Sequence, residues 1–217
     1  FAEVLKRDMD GNLTPAQQAH LTDIDQAGQR LGEVLSDVLF FSRLNNGNQE
    51  IKRINTGLDE LIEDATIALK AKAKAKNMTL SHSDFSQRRE LIAERKLIID
   101  ALSRLTDNAI KFSPEGADIR LSAHSLADGS AVLAVQDTGP GIAMHTLQRC
   151  MKPFEQADQA LTRAEQGLGL GLAIAKMIAE LHGGKLIVDA KPGKGTTASI
   201  WMPPSCLVAQ HQDLKAS

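Results

Sequence analysis

The stretch AEQGLGLGLAIAK, Ala164–Lys176, decides how the chain is to be read: it alternates glycine with leucine and then runs straight into a helix pattern. Leu170, Ile174, Met177, Ile178 and Leu181 keep helical spacing, so Gly167, Gly169 and Gly171 fall where that helix begins. Without side chains they expose backbone N–H groups at the positive end of the helix macrodipole, which makes a cradle for an anion. The segment lacks the lysine-serine ending of a P-loop and follows a polar loop, not a strand, so a nucleotide here is held in a different way. That loop, Glu155–Gln166, is polar, bounded by glycine, and reads as a movable lid.

Upstream, a strand pattern over 131–137 puts Leu133 and Val135 on the same face as Asp137, because side chains two apart point the same way. A carboxylate aimed at the apolar side needs a donor, and the amino group of adenine supplies one. The turn TGPGI follows at once, where Gly139 and Gly141 let another group approach the backbone. An isolated D-x-G-x-G more often caps its own turn; the neighbouring segments favour a ligand. In the helix expected from about Glu94 to Phe112, Ile98, Ala101, Leu102, Leu105, Ala109 and Phe112 form the buried stripe, and Arg104, Asn108 and Lys111 line its edge. Asparagine is a poor mid-helix residue, so the Asn108 amide is expected to be used, as an oxygen ligand to magnesium. Lys111 then reaches a phosphate as a point charge, although either residue alone suits a solvated surface position.

Further out, TPAQ at Thr14–Gln17 is a helix start with a threonine cap and proline at the first helical position. Leu21, Ile24, Gly28, Leu31, Leu35 and Val38 follow at alternating steps of three and four, the seam of a helix bundle. Phe1–Arg7, across the turn DMDGN, supplies an antiparallel partner, and two such hairpins pairing as a dimer cover the seam; packing on the rest of the same chain is the alternative. LNNGNQ, Leu44–Gln49, closes the helix. After it come a strand at IKRI, an amphipathic helix ending in a solvated lysine-alanine turn, a strand at MTLSH, the helix above, strands over 119–124 and 131–137, a short helix after Gly141, the glycine-headed helix and a closing hairpin. The expected fold class is therefore α+β. A helical hairpin over 1–47, half of a dimeric four-helix bundle, precedes an α/β sandwich over 48–204 with one mixed sheet covered by helices on one face; 205–217 is read as a disordered tail.

Composition bounds the function. With 217 residues and 42% hydrophobic types the chain can bury a core. A net charge of −2 and 3% aromatics argue against nucleic acid, and no apolar run approaches the roughly 18 residues of a membrane span. Cys150 and Cys206 have no paired spacing, so neither a disulfide framework nor a zinc site is expected. A cytoplasmic setting fits, including the cytoplasmic part of a membrane-bound sensor. Phe1 opens on a helix pattern without a methionine or a cap, so the sequence reads as a piece of something longer.

Four segments in this order, NAIKF (Asn108–Phe112), DTGPGI (Asp137–Ile142), PFEQ (Pro153–Gln156) and GLGLGLAIAK (Gly167–Lys176), resemble the nucleotide boxes of bacterial sensor histidine kinases. The N-terminal hairpin ending in LFFSRLNNG is similar to that family's dimerisation and phosphotransfer domain, so the resemblance reaches to about Pro204. It implies that Asn108 binds magnesium, Lys111 a phosphate, and that Phe112 borders the nucleotide. It implies Asp137 as acceptor from the adenine amine, with Gly139, Gly141, Ile142 and Thr196 around the base, Phe154 anchoring the lid and Arg163 closing over the phosphates. Gly167, Leu168, Gly169, Leu170 and Gly171 would meet the phosphates through main-chain amides. The implied cofactors are ATP and Mg2+. The implied partners are a second copy of the chain and the receiver domain of a response regulator, which takes the phosphoryl group from a histidine.

Two departures qualify that reading. None of the six histidines is followed by the acidic residue and proline that mark the family's acceptor, so no catalytic residue is assigned within this chain. The acceptor is expected about three helical turns before Phe1, and the chain by itself is not expected to phosphorylate itself. Arg104 stands where the family usually has asparagine and gyrase-type ATPases have glutamate, and a guanidinium cannot be a general base. The alternatives are a degenerate nucleotide-binding regulator acting through its hairpin, or a gyrase-like ATPase, which needs a glutamate near Asn108.

Overall fold

The computed structural model describes residues 13–46, 51–83, 89–155 and 168–208, and the chain divides into two compact units, Phe1–Gly47 and Asn48–Ser217. In the first unit one helix, α1 (Pro15–Asn45), is described. Its start is a reciprocal cap: Thr14 Oγ1 accepts from the N–H of Gln17 at 3.3 Å, while Gln17 Oε1 accepts from the N–H of Thr14 at 2.8 Å. The apolar seam runs along its surface, with Ile24, Leu31 and Leu35 exposed by 60, 68 and 57%. The partner segment Phe1–Arg7 and the turn DMDGN lie outside the described residues.

The second unit is an α/β sandwich. Strands β1 (Ile54–Gly57), β2 (Thr79–His82), β3 (Glu90–Ala93), β4 (Asp118–Ser125), β5 (Ala131–Asp137), β6 (Lys185–Ala190) and β7 (Thr196–Met202) accompany helices α2 (Leu58–Ala75), α3 (Arg95–Phe112), α4 (Met144–Cys150) and α5 (Gly171–Leu181). Five strands form a sheet in the order β2-β4-β5-β7-β6. Only β2 and β4 run parallel in it, which makes it mixed as expected. Ile119, Leu121, Leu133, Val135, Ile200 and Met202 alternate onto one face and are buried. Against them lie α2, α3 and α5, through residues such as Leu61, Ile62, Ile98, Leu102, Ile174 and Ile178. The opposite face carries Arg120, His124, Gln136, Lys185 and Asp189, all exposed.

Three expectations need correction. The strand read at IKRI begins only at Ile54, and it pairs with β3 in a separate two-stranded sheet, so there is not one sheet but two. β3 escaped notice because four residues leading directly into a helix carry no turn signal of their own; Leu91 and Ala93 alternate inward to the core. Residues 205–208 are not a disordered tail. Pro204–Cys206 form a 3-10 turn, Leu207 bridges to Leu91, and Cys206 is buried with its Sγ donating to the carbonyl of His182 at 3.2 Å. Burial of Cys206 and the backbone pairing of Leu207 and Val208 with β3 hold this segment in place; 209–217 lie outside the described residues.

His182, buried at the end of α5, ties α5 to the head of α3. Its Nε2 accepts from the N–H of Glu94 at the head of α3 at 3.1 Å, which leaves Nδ1 to donate to the carbonyl of Ile178 at 2.8 Å. Burial pushes its pKa below the ordinary histidine value, so the neutral ring that this arrangement needs is the one the fold favours.

Candidate functional site

The turn after β5 meets the end of α3, the start of β7 and the β6–β7 loop, and the start of α5 meets α3 at Asn108. Asp137 ends β5 opposite Thr196 of β7 in the strand register. Its Oδ1 accepts from the N–H of Gly139 at 2.8 Å and from that of Thr196 at 3.2 Å. Burial raises its pKa above the usual carboxylate range, and the two backbone donors only partly offset this. Among the described residues no donor reaches Oδ2. The carboxylate is thus held firmly at one oxygen and keeps acceptor capacity at the other.

The turn is built on close approach. A side chain at Gly141 (φ +66°) would place its Cβ 2.0 Å from the carbonyl oxygen of Lys191, and one at Gly195 would lie 2.0 Å from that of Asp137. The N–H of Gly193 donates to Pro140 at 2.7 Å, so the turn 137–141 and the loop 191–195 form one seam. Gly195 was not picked out from the sequence: GKG reads as an ordinary hairpin, and only the meeting with Asp137 gives it a role. Ile142 is half-buried beside this seam.

At the other end, Asn108 lies on the face of α3 that meets α5. A Cβ on Gly171 would stand 3.4 Å from Asn108 Nδ2 and 3.6 Å from its Oδ1, so the amide sits over the first residue of α5. No side chain caps that helix start and its first turn carries no acid. Its leading N–H groups therefore present unopposed positive potential toward the amide. Leu170 is buried core and Leu168 half-buried, while a Cβ on Gly169 would meet the carbonyl oxygen of Glu155 at 2.6 Å. Gly167, Arg163 and the rest of the loop over 156–166, expected to be a lid, lie outside the described residues. Phe154 is exposed and takes a left-handed φ of +65°, which costs energy for any residue with a Cβ.

Lys111 stands 3.9 Å from Asp107, which also pairs with Lys72. Phe112 is 47% exposed, so the buried stripe of α3 stops one residue short of its expected end. Beyond it opens a cleft of about 500 Å³ lined by Lys76, Lys111, Phe112, Ser113, Pro114, Thr138, Gly139 and Pro140. It shares three of these with the expected site, and the Asn108–Gly171 end lies outside it. Lys76 does not belong to a solvated turn as expected: its Nζ donates to the carbonyls of Ile110 and Lys111 at 3.3 and 3.5 Å, closing the end of α3. Arg104 pairs with Asp100 at 2.8 Å, one turn before it. Of the glutamates weighed for a general base, Glu94 heads α3 and Glu115 lies past its end beside Asn77. Among the described residues no group of three or more His, Cys, Asp or Glu side chains could hold a metal ion, and both cysteines are free thiols.

Residues 93–205 match the family model described as histidine kinase-, DNA gyrase B-, and HSP90-like ATPase. Among curated relatives, the non-motile and phage-resistance protein of Caulobacter vibrioides is 33% identical over 99% of this chain and 25% of its own length. Histidine protein kinase DivJ of the same organism is 30% identical over 94% of this chain and 34% of its own. Full-length ShkA in complex with AMPPNP is similar in structure, with a TM-score of 0.81 and 26% identity over 96% of this chain and 42% of ShkA. The mycobacterial sensor histidine kinase MprB gives a TM-score of 0.61 at 26% identity over 69% of this chain and 97% of the solved one. The chain thus spans between a quarter and about a third of the length of these curated relatives. Among the described residues no helix is long and apolar enough to cross a membrane.

Proposed function

We propose how this chain works from one premise: it belongs to the family of histidine kinase-, DNA gyrase B-, and HSP90-like ATPases and carries the catalytic ATP-binding domain of a histidine kinase. ATP lies with its adenine amine donated to Asp137 and its phosphates toward the start of α5. The observation that carries this is the uncapped helix start facing Asn108, together with a half-buried carboxylate at the end of β5 that keeps spare acceptor capacity. Gly139, Gly141, Ile142 and Thr196 shape the base end, Phe112 borders it, and Leu168 to Gly171 offer main-chain donors to the phosphates, with Gly167 and Arg163 assigned on the resemblance alone. Phe154 holds the root of the lid.

Magnesium fits this site as an ion carried mostly by phosphate oxygens and completed by the Asn108 amide, since hard cations of its size keep few protein ligands. When bound it neutralises phosphate charge. Lys111 adds a point charge, and the N–H groups of α5 orient the terminal phosphate; positioning and charge neutralisation do most of the work in phosphoryl transfer. The receiving group is a histidine on a helical hairpin, and a response regulator receives the phosphoryl group next. The Asp100 carboxylate that pairs with Arg104 offsets a cation one turn from the metal site, and nothing observed favours the degenerate reading over this one.

In calorimetric titrations, magnesium is expected to tighten ATP binding to the wild-type chain, and Asn108→Ala to remove about 10- to 100-fold of that gain, the worth of one contact to a charged group. Equal magnesium dependence in both proteins sinks the assignment of Asn108.

The exposed seam of α1 supports a homodimer in which four helices bury Ile24, Leu31, Leu35 and Val38. Sedimentation should give a dimer for the wild-type chain and a monomer for Leu35→Glu. A wild-type monomer at about 100 µM, some hundredfold above a micromolar dissociation constant, argues against the bundle.

A further inference from the structure

The serine that closes α3 has a hydroxyl without a partner. Ser113 is 6% exposed, and its Oγ makes no hydrogen bond. Buried polar groups are nearly always paired, so an orphan beside a cleft is waiting for something the protein does not itself supply. A helix-ending serine ordinarily gives its hydroxyl to a carbonyl three or four residues back. Here that role is taken. The N–H of Ser113 donates to Ala109 at 3.1 Å, and Lys76 Nζ serves the carbonyls of Ile110 and Lys111. Pro114 follows and confines Ser113 to extended backbone (φ −84°, ψ 148°), which sets the direction of its Cα–Cβ bond.

The hydroxyl lies beside Gly139 and the carboxylate of Asp137. A Cβ added to Gly139 would lie 2.7 Å from Ser113 Oγ and 2.8 Å from Asp137 Oδ1, so the two oxygens flank a single point that only a glycine leaves open. Both Ser113 and Gly139 line the cleft. An ionised carboxylate can only accept, and a hydroxyl can donate, so Asp137, whose Oδ1 is held by Gly139 and Thr196 and whose Oδ2 is left to accept, and the Ser113 hydroxyl offer an acceptor and a donor on either side of Gly139. The base-pairing edge of adenine presents the complement, an amino donor beside a ring-nitrogen acceptor. Guanine presents a carbonyl oxygen where adenine has the amine, and would set it against the carboxylate.

We propose that Ser113 is a specificity-determining residue that reads the base together with Asp137, its hydroxyl donating to the ring nitrogen beside the adenine amine, directly or through one water. The inference rests on Asp137 as the purine-binding carboxylate. It is tested by calorimetric titration of the wild-type chain, Ser113→Ala and Ser113→Thr with ATP and with 1-deaza-ATP, in which that nitrogen is a C–H. The wild type should prefer ATP by about three- to tenfold, the usual worth of one neutral hydrogen bond. Ser113→Ala should lose this preference by weakening ATP alone, and Ser113→Thr should keep it. Melting curves should show Ser113→Ala no less stable than wild type, since it removes an unpaired group. Equal binding of the two nucleotides by the wild type overturns the proposal without any variant, and so does an alanine variant that weakens both equally or neither. A wild-type chain that binds no ATP overturns the reading of Asp137 as well.

Discussion

Replacing Gly141 by alanine should abolish measurable nucleotide binding and lower the melting temperature by roughly 6–12 °C, the shift that ~3 kcal/mol produces in a domain of this size. Two costs combine. A side chain at φ +66° occupies a left-handed conformation that penalises any residue with a Cβ by about 1–2 kcal/mol. The new atom would also stand 2.0 Å from the carbonyl oxygen of Lys191 and 3.0 Å from that of Gly195, both backbone atoms that cannot swing aside. Relief requires moving the turn 137–141 away from the loop 191–195, and that displaces Asp137, which is anchored to Thr196 across the same seam. Gly116 is the control. It has φ +79° with nothing within 4 Å of its Cβ, so Gly116→Ala should show the conformational cost alone, about 2–8 °C, and leave binding intact. If the two variants melt together and both bind ATP, the seam yields more easily than its contacts imply.

The contrast between those glycines marks where sequence reading succeeds. Within an element it succeeded because burial follows period: Ile98, Ala101, Leu102, Leu105 and Ala109 of α3 are buried, as the stripe required, and so are Leu133 and Val135 of β5 and Ile174 and Ile178 of α5. It stopped at Phe112, because a stripe cannot say where the neighbouring element ends and a cleft begins. Asp137 was legible for a local reason: the strand's alternation aims it inward and the glycines follow within four residues. Lys76, Ser113 and Gly195 were not, since each takes its role from a partner distant in the chain. Lys76 reaches carbonyls 34 and 35 residues away, and Gly195 sits against Asp137, opposite in register only because β7 pairs with β5. β3 was lost for a related reason: a short strand is stabilised by its partner β1 and by the chain end at Leu207, neither of which its own four residues announce.

Asp137→Asn should separate function from stability in opposite directions. The asparagine carbonyl can keep both backbone bonds that Oδ1 now accepts, from Gly139 and Thr196, so the turn retains its shape. What changes is the free position, where an acceptor becomes an NH2 donor facing the donor of the adenine amine. ATP affinity is expected to fall about 100-fold, the loss of a charge-assisted hydrogen bond in a partly buried site. The empty protein should meanwhile become more stable at neutral pH. Because burial raises the folded pKa of Asp137 above 3.8, its value when unfolded, the folded chain holds that proton to higher pH. The contribution is favourable below the unfolded value and is lost as pH climbs through the folded one. At pH 7 the ionised side chain is therefore one the fold tolerates at a cost, and a neutral amide escapes it. The melting temperature of the variant should exceed that of the wild type at pH 7, with the gap closing toward pH 4. A protein that keeps a half-buried carboxylate against its own stability is keeping it for a ligand. Paired melting curves and ATP titrations decide the matter, and a variant that loses stability along with affinity would mean that Asp137 holds the turn and reads no base.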